Sequence, residues 1–554
     1  MTAALVGALQ GLDVLLCEAS EQVGGTTATS AGTIWVPGNR QGVEAGFTDT
    51  SQKGQQYLDA ILGSEDPRGL RAKYLQTADA AIQYLESHSE VKFVTSGRHP
   101  DYLDLPGAAT SGRALSPVEF DGRRLGADFD RIRAPLADFM ILGGMMVNKA
   151  DIRALVRRFR SARDFFHSAR LVLRYGADRL RHRRGTRLVM GNALVARLFA
   201  SLRQAGVRMS FGTRLERLET EGRAVVAAVC RREGSEVRLR ARYGVVLATG
   251  GIGHNTVLRA KLWPAHVPSQ SLAFEGDRGE GIDAARQVGG QLDVHPDSFF
   301  WQPVSVVAAA SDRPRLFPHL YLDRAKPGVI AVNASGDRFT NEGASYHHFV
   351  EAMLRSKTSA PAIPAYLICD AHFVQAYGLG VIAPGTRDLA KYVKNGYVSV
   401  ASTLDQLAAT IGIDPVRLSS TIKQANQDAL LGHDSAFGKG STEVSRFNGD
   451  PEHLPNPCLA TISVAPFCAL SIWPADAATS TGLETDADGR VVDASGENIP
   501  GLYACGNDMA SVMHGTYPGP GTTIGPAMVF GYLAALHVSR HPPGQPAAVG
   551  GHRL

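Results

Sequence analysis

The stretch GLYACGNDMASVMHGTYPGPGTTIGPAMVFGYLAA, residues 501–535, decides the fold. Leu502 to Cys505 reads as a short buried strand and Gly506-Asn507-Asp508 as a turn. Tyr517 to Gly521 is a loop too rich in glycine and proline for a helix or a central strand. A helix opens near Thr523 and Ile524. Backbone amides and a positive helix end therefore converge on one point, beside Asp508 and Tyr517. That is how a protein holds an electron-rich ring system and stabilises negative charge on it.

Outward from this stretch, the opposite end of the chain supplies a matching half. Met1 to Gln10 is a helix of small residues ended by Gly11, and Asp13 to Cys17 (DVLLC) is an apolar strand closed by Glu18. An acid in that position is where a dinucleotide-binding fold accepts hydrogen bonds from a ribose. In that unit a strand and a GxGxxG turn come before the helix, whereas here the chain starts within the helix. An upstream apolar strand and glycine turn of about 15–25 residues is therefore expected. EQVGGTTATSAGTIW (21–35) follows, and its Gly24, Gly25, Thr26 and Thr27 suit close approach of backbone to a ligand.

Further on, Gly191 to Ala205 reads as a helix, and Val207 to Phe211 and Ala224 to Arg231 as strands. Tyr243 to Leu247 is a buried strand running into Ala248-Thr249-Gly250. GDRGEGIDAA (276–285) is a turn leading into a helix. The expected architecture is α/β: a Rossmann-like dinucleotide-binding domain, its first strand and glycine turn truncated, with an inserted α+β catalytic domain. Residues 1–296 form the first part, with an arginine-rich helical insert over 129–189. The catalytic domain covers 297–465, the second part 466–540, and a disordered tail 541–554.

Composition bounds the function. With 554 residues, 44% hydrophobic content and a net charge of +4, the chain has room for two cores and no general reason to bind nucleic acid. The six cysteines are scattered without a CxxC pair, and no histidine cluster has ligand spacing, so no metal is expected and the thiols suit a reducing cytoplasm. The charge is uneven: Ile152 to Arg187 holds twelve arginines against two aspartates, with no Lys or Glu. Apolar Ile152, Leu155, Val156, Phe159, Phe166 and Leu173 recur near helical spacing there, with Arg153, Arg157 and Arg160 opposite. That is the pattern of an interfacial helix on anionic lipid, with residues 151–187 against the inner face of the cell membrane, or else of a solvated helix packed on its own domain or an oligomer contact.

The motifs GGTTATSAG, VVLATGG, GDRGEGI, NEGASY and GLYACGND followed by YPGPGTTIGPAMVFGYLA stand in the order of a known family. The chain resembles the flavoproteins of the fumarate reductase/succinate dehydrogenase superfamily and, within it, the 3-ketosteroid 1-dehydrogenases. The resemblance implies FAD as cofactor, held by Glu18, Gly24, Gly25, Thr26, Thr27, Ala248, Thr249, Gly250, Asn507, Asp508, Thr523 and Ile524. Fumarate-reducing relatives carry an arginine where NEGASY ends and another in the C-terminal loop; here those places hold Tyr346 and the arginine-free HGTYPGPG. A dicarboxylate needs cationic forks, so phenols and amides favour a neutral ketone.

The resemblance assigns the Tyr517 hydroxyl and the Gly521 amide to the C3 oxygen of a 3-ketosteroid, and Tyr346 to the C2 proton, while the C1 hydride goes to flavin N5. Tyr102 is the implied partner of Tyr346, with Tyr321 an alternative for either role. Electrons then pass to an external acceptor. Three rival readings remain: dehydrogenation at C4–C5, a fumarate- or urocanate-reductase-like flavoprotein, and a steroid-binding protein without catalysis, since the pyrophosphate loop is missing.

Overall fold

Two short parallel ladders organise the nucleotide-binding half of this computed structural model, which describes residues 1–308, 315–356 and 361–541. Leu15–Cys17 pairs in parallel with Arg208–Ser210, and Val245–Leu247 pairs in parallel with Leu502–Ala504. Parallel pairing needs long crossovers, and helices supply the faces. The helix Thr2–Leu9 carries only small and apolar side chains and lies against the C-terminal helix Ile524–Arg540, where Gly531 leaves room for its first turn. Leu5, Val6, Met528, Val529 and Phe530 join one large core with Leu247, Leu502 and Ala504.

An antiparallel three-stranded sheet (Thr213–Glu221, Ala224–Arg232, Ser235–Arg240) flanks this half. The first and last of its strands were not legible in the sequence, because their alternation is between charged residues and a few half-buried apolar ones.

The second half is built on a six-stranded sheet in the order Arg315–Pro318, Phe299–Val307, Phe467–Thr479, Ala365–Asp370, Val329–Val332, with Ser399–Ala401 pairing to the long central strand. Phe467–Thr479 runs on from residue 466, so hydrogen bonds tie the returning chain to this sheet before it re-enters the nucleotide-binding half. The 129–189 stretch holds two helices, Lys149–Val156 and Ala162–Arg179, rather than one continuous amphipathic helix. The break falls at 157–161, and Asn148 with Asp151 forms a capping box at the first start. Of the expected tail, residues 542–554 lie outside the described residues.

Candidate active site

Four phenols meet at the junction of the two halves. Tyr102, Tyr346 and Tyr517 are buried (3%, 6% and 8% exposed), and Tyr321 completes the cluster. The Tyr102 and Tyr321 hydroxyls are 2.6 Å apart, and the Tyr102 hydroxyl lies 3.5 Å from that of Tyr346. The Tyr517 ring stacks on Tyr102 (centroids 5.8 Å, 16°) and meets Tyr346 edge-on at 5.3 Å.

Each phenol arrives on a different element. Tyr346 opens the helix Tyr346–Arg355, which Ser345 caps through the His348 amide. Tyr102 sits on a loop whose amide donates to the Pro518 carbonyl (2.8 Å), and the same carbonyl accepts from the Tyr57 hydroxyl (2.8 Å). Asp101, next to Tyr102, is pinned by the Trp35 indole N–H (2.7 Å) and by buried Arg113 (2.6 Å).

Burial is the main influence on all four hydroxyls. It pushes Tyr102 and Tyr346 well above the ordinary tyrosine value, and Tyr517 upward. Burial also raises Tyr321, though only to about 12, because hydrogen bonds to Tyr102 and Tyr346 and the neighbouring Arg324 guanidinium act against it. Arg324 is 2% exposed and holds the carbonyls of His319, Glu342 and Leu320.

Gly521 lies four residues beyond Tyr517 in the C-terminal loop, against Thr33 and Ile34. Its φ of +93° belongs to the left-handed side, and a Cβ there would lie 2.5 Å from the Ile34 Cα, so only glycine fits. Its carbonyl accepts from the Trp35 amide, while its own N–H has no acceptor among the described residues. Just beyond, the helix Ile524–Arg540 starts at Thr523 with no side-chain cap. The Gly525 amide donates to the Gly521 carbonyl (3.0 Å) and Pro526 carries no N–H, so the Ile524 amide is left without an acceptor among the described residues, beside a narrow cleft lined by Gly506, Asn507, Thr522, Thr523 and Ala527.

Both parallel strands Val245–Leu247 and Leu502–Ala504 end at this crevice, which is where open α/β sheets bind ligands. They bring Ala248, Thr249 and Gly250 beside Asn507 and Asp508. Asp508 is fully buried, and its carboxylate accepts from the Thr249 amide and hydroxyl and from the Gly251 amide (3.0 Å). Asn507 donates to the Gly250 carbonyl at 3.4 Å. Thr26 donates its hydroxyl to Asp277 (3.0 Å) and accepts the Phe274 amide, so that hydroxyl is engaged within the protein. Glu18 accepts from the Ser20 amide and hydroxyl through Oε1, and Oε2 has no hydrogen-bond donor among the described residues. Gly24 and Gly25 both have positive φ, and a Cβ on Gly25 would meet nothing within 4 Å, while Thr27 lies beside them on the same short turn of helix. Nearby, a cavity of about 380 Å³ opens between Ser20, Arg131, Arg133 and Phe274.

Residues 1–524 match the family model for an FAD binding domain. The chain is 38% identical over 548 residues (98% of it, 92% of the relative) to 4-oxocyclohex-2-ene-1-carboxylate 5-dehydrogenase of Sinomonas cyclohexanicum. It is 35% identical over 553 residues (97% and 95%) to 3-oxosteroid 1-dehydrogenase of Mycolicibacterium smegmatis. The crystal structure of 3-ketosteroid delta1-dehydrogenase from Sterolibacterium denitrificans, in complex with 1,4-androstadiene-3,17-dione, superposes with a TM-score of 0.90 at 33% identity, covering 97% of each chain. The chain belongs to the 3-ketosteroid 1-dehydrogenase family of FAD-binding flavoproteins.

Like its family, it is an FAD-dependent oxidoreductase acting on CH–CH bonds. The crevice fits the cofactor on its own evidence: an uncapped helix start, a free carboxylate oxygen on Glu18 and an open face at Gly25. Two residues of the crevice went unrecognised in the sequence. Asp277 is buried between Thr26 and Asp508, and burial, with the Asp508 carboxylate adding to it, raises it to about 8. Arg133 stacks over Phe274 at 4.4 Å and donates to the Gly25 carbonyl. Asp277 lies in the quoted GDRGEGI motif and was legible as a conspicuous acid among glycines; Arg133 had no local signal.

Proposed function

We propose that the enzyme introduces a C1–C2 double bond into 3-ketosteroids. The observation that carries the reading is the phenol cluster itself: the Tyr517 hydroxyl beside Tyr346 and Thr523, with the unpaired Gly521 N–H in the same loop, and a pair of hydrogen-bonded tyrosines, Tyr102 and Tyr321. A C–H bond at C2 is acidic because it is alpha to the ketone. The Tyr517 hydroxyl and the Gly521 N–H donate to the C3 oxygen and stabilise the charge that forms there, each worth roughly 2.7–4 kcal/mol in a preorganised site. Tyr346 removes the C2 proton, and Tyr102 and Tyr321 carry it onward along their 2.6 Å contact. FAD, when bound, supplies the acceptor for the C1 hydride.

Glu18, Gly24, Gly25 and Thr27 are the residues we assign to the adenosine and phosphate half of the cofactor. Ala248, Thr249, Gly250, Asn507, Thr523 and Ile524 line the flavin half, with Asp508 acting through Thr249 and Gly251 and Thr26 through Asp277. A relative named for a 4-oxocyclohexene carboxylate fits the same chemistry, since a ring ketone with an acidic neighbour is all the cluster requires.

The insert supports a second element of the reading, docking on anionic lipid. Val156 on the first helix, Phe166 and Leu173 on the second, and Phe159 and Leu180 in the turns just outside them are 69–85% exposed among the arginines. No helix among the described residues is long and apolar enough to cross a membrane. We therefore place the enzyme on the cytoplasmic face of the membrane, handing electrons to an external acceptor. Incubating the FAD-loaded enzyme with 5α-androstane-3,17-dione tests the regiochemistry, because that ketone offers both C1–C2 and C4–C5. NMR of the product showing a 1-ene supports the reading, and a 4-ene or unchanged ketone overturns it.

A further inference from the structure

A second cluster adjoins the phenols and has no part in the chemistry above. The His99 imidazole stacks on Phe447 (4.8 Å, 23°) and meets the Tyr321 ring edge-on at 6.1 Å. The Lys149 ammonium sits over the same Phe447 ring, 4.0 Å from its centre. Lys149 is the first residue of the helix Lys149–Val156, so the insert itself reaches this end of the catalytic cluster.

Two features of this cluster lack a partner. His99 Nε2 is buried from solvent, yet no hydrogen-bond partner faces it. Lys149 makes no ion pair or hydrogen bond among the described residues, its only contact of this kind being the Phe447 ring. The acids close in sequence are all engaged: Asp101 by Trp35 and Arg113, Asp104 by the Glu443 amide, and Asp151 by His167 and Arg187. Lys326, which donates to the Gly449 carbonyl, adds a second cation, close enough to Lys149 for its ammonium to feel that charge. Burial, with the Lys149 charge adding to it, pushes the His99 imidazole down to about 4 and so holds it neutral, and burial pushes the Lys149 ammonium downward. An orphaned buried polar group is rare enough to call for a ligand.

We propose that Lys149 and His99 bind the carboxylate of a ring ketone whose acid group lies remote from the reacting carbonyl. The proposal rests on the reading above, in which the ketone oxygen meets Tyr517 and Gly521. Lys149, at the exposed end, supplies the charge. Neutral His99 donates one hydrogen bond from Nε2, and Phe447 gives the apolar flank against which the substrate lies. The acid can belong to a single-ring keto acid or to the side chain of a fused-ring ketone, and the cluster's chemistry serves both.

The test uses the FAD-loaded full-length enzyme and two matched pairs: 4-oxocyclohexanecarboxylate against its methyl ester, and a 3-oxo-4-ene steroid with a side-chain carboxylate against its methyl ester. The readout is the acid-to-ester ratio of kcat/KM, taken from anaerobic flavin reduction. We expect a ratio of about ten or more in one pair, the size of one charge-assisted contact. Lys149→Met should bring that ratio near one, and His99→Phe should lower it several-fold. The pair that shows the preference identifies the source of the carboxylate. A ratio near one in both pairs, or a preference untouched by Lys149→Met, overturns the inference while leaving ketone dehydrogenation standing. If no ketone bleaches the flavin, the functional reading fails, and calorimetric titration with the same pairs still decides this site. Binding that prefers the acid only when Lys149 is present keeps it, and equal binding of acid and ester removes it.

Discussion

Replacing Tyr517 by Phe removes one hydroxyl and leaves the ring. The ring contacts are many: Tyr102 at 5.8 Å, Tyr346 at 5.3 Å, Phe300 at 5.4 Å and His347 at 5.5 Å. All survive the change, so the fold should lose no more than about 1 kcal/mol, the net worth of a typical hydrogen bond. The developing charge on the ketone oxygen is left with the Gly521 N–H alone. Losing one of two preorganised donors costs about 2.7–4 kcal/mol in the transition state, or roughly 10²–10³ in rate. Binding of the neutral ketone should change much less, because the donor matters most once charge has formed. The partner donor cannot be probed as cleanly, since a side chain at Gly521 would run into Ile34 and Thr33. Stopped-flow reduction of the bound flavin at saturating ketone measures the rate, and product binding measures the ground state. A Tyr517→Phe enzyme within threefold of the parent would remove Tyr517 from the oxyanion site and refute the donor pair.

The other predictions follow from the same geometry. Tyr346→Phe should lower flavin reduction by about 10²–10⁴, the usual contribution of a general base, with FAD still bound; a surviving rate would move the base to Tyr321 or Tyr102. Because burial raises Tyr321 only to about 12 and the other phenols are raised as well, kcat/KM should go on climbing with pH through 10, and a plateau near neutrality would contradict a phenol base. Asp277, raised to about 8, is favoured protonated in the fold: its stabilising effect is complete below the ordinary carboxylate value near 4 and is lost as pH rises through 8. The shift corresponds to at most ~6 kcal/mol, so Asp277→Asn should flatten the fall in Tm between pH 4 and 8, and parallel profiles for the two proteins would count against it. Changing Arg153, Arg157 and Arg160 to Glu should release the enzyme from anionic liposomes at low salt while turnover of dissolved steroid stays the same; a parent enzyme that fails to co-sediment removes membrane docking.

The parts of the fold that the sequence announced are those where local chemistry and burial agree. Leu502 to Asp508 and the helix at Ile524 could be read because an apolar strand, a glycine turn and a helix start each have their own residues there. Tyr346, Tyr517, Gly521 and Tyr102 rest on motif resemblance, and the structure brings the three tyrosines to one cluster, although 244 residues separate Tyr102 from Tyr346. Less legible were features that exist only through tertiary contact. Nothing local to Thr26 says that its hydroxyl turns toward Asp277, 251 residues away, instead of a ligand. The insert misled in a different way: its apolar spacing reads as one helix, but Ser161 starts a second helix and the chain turns at 157–161. Exposed apolar side chains remain on both sides of that break, Val156 before it and Phe166 and Leu173 after it.

The most direct test of hydride removal from C1 under phenol catalysis is a single anaerobic turnover with a 3-ketosteroid deuterated at C1. The FAD-loaded enzyme should lose its yellow absorbance, the loss should slow by a primary isotope effect, and the product should carry the C1–C2 double bond. Flavin that stays oxidised, or bleaching that is indifferent to deuterium at C1 and yields a C4–C5 alkene, would contradict it.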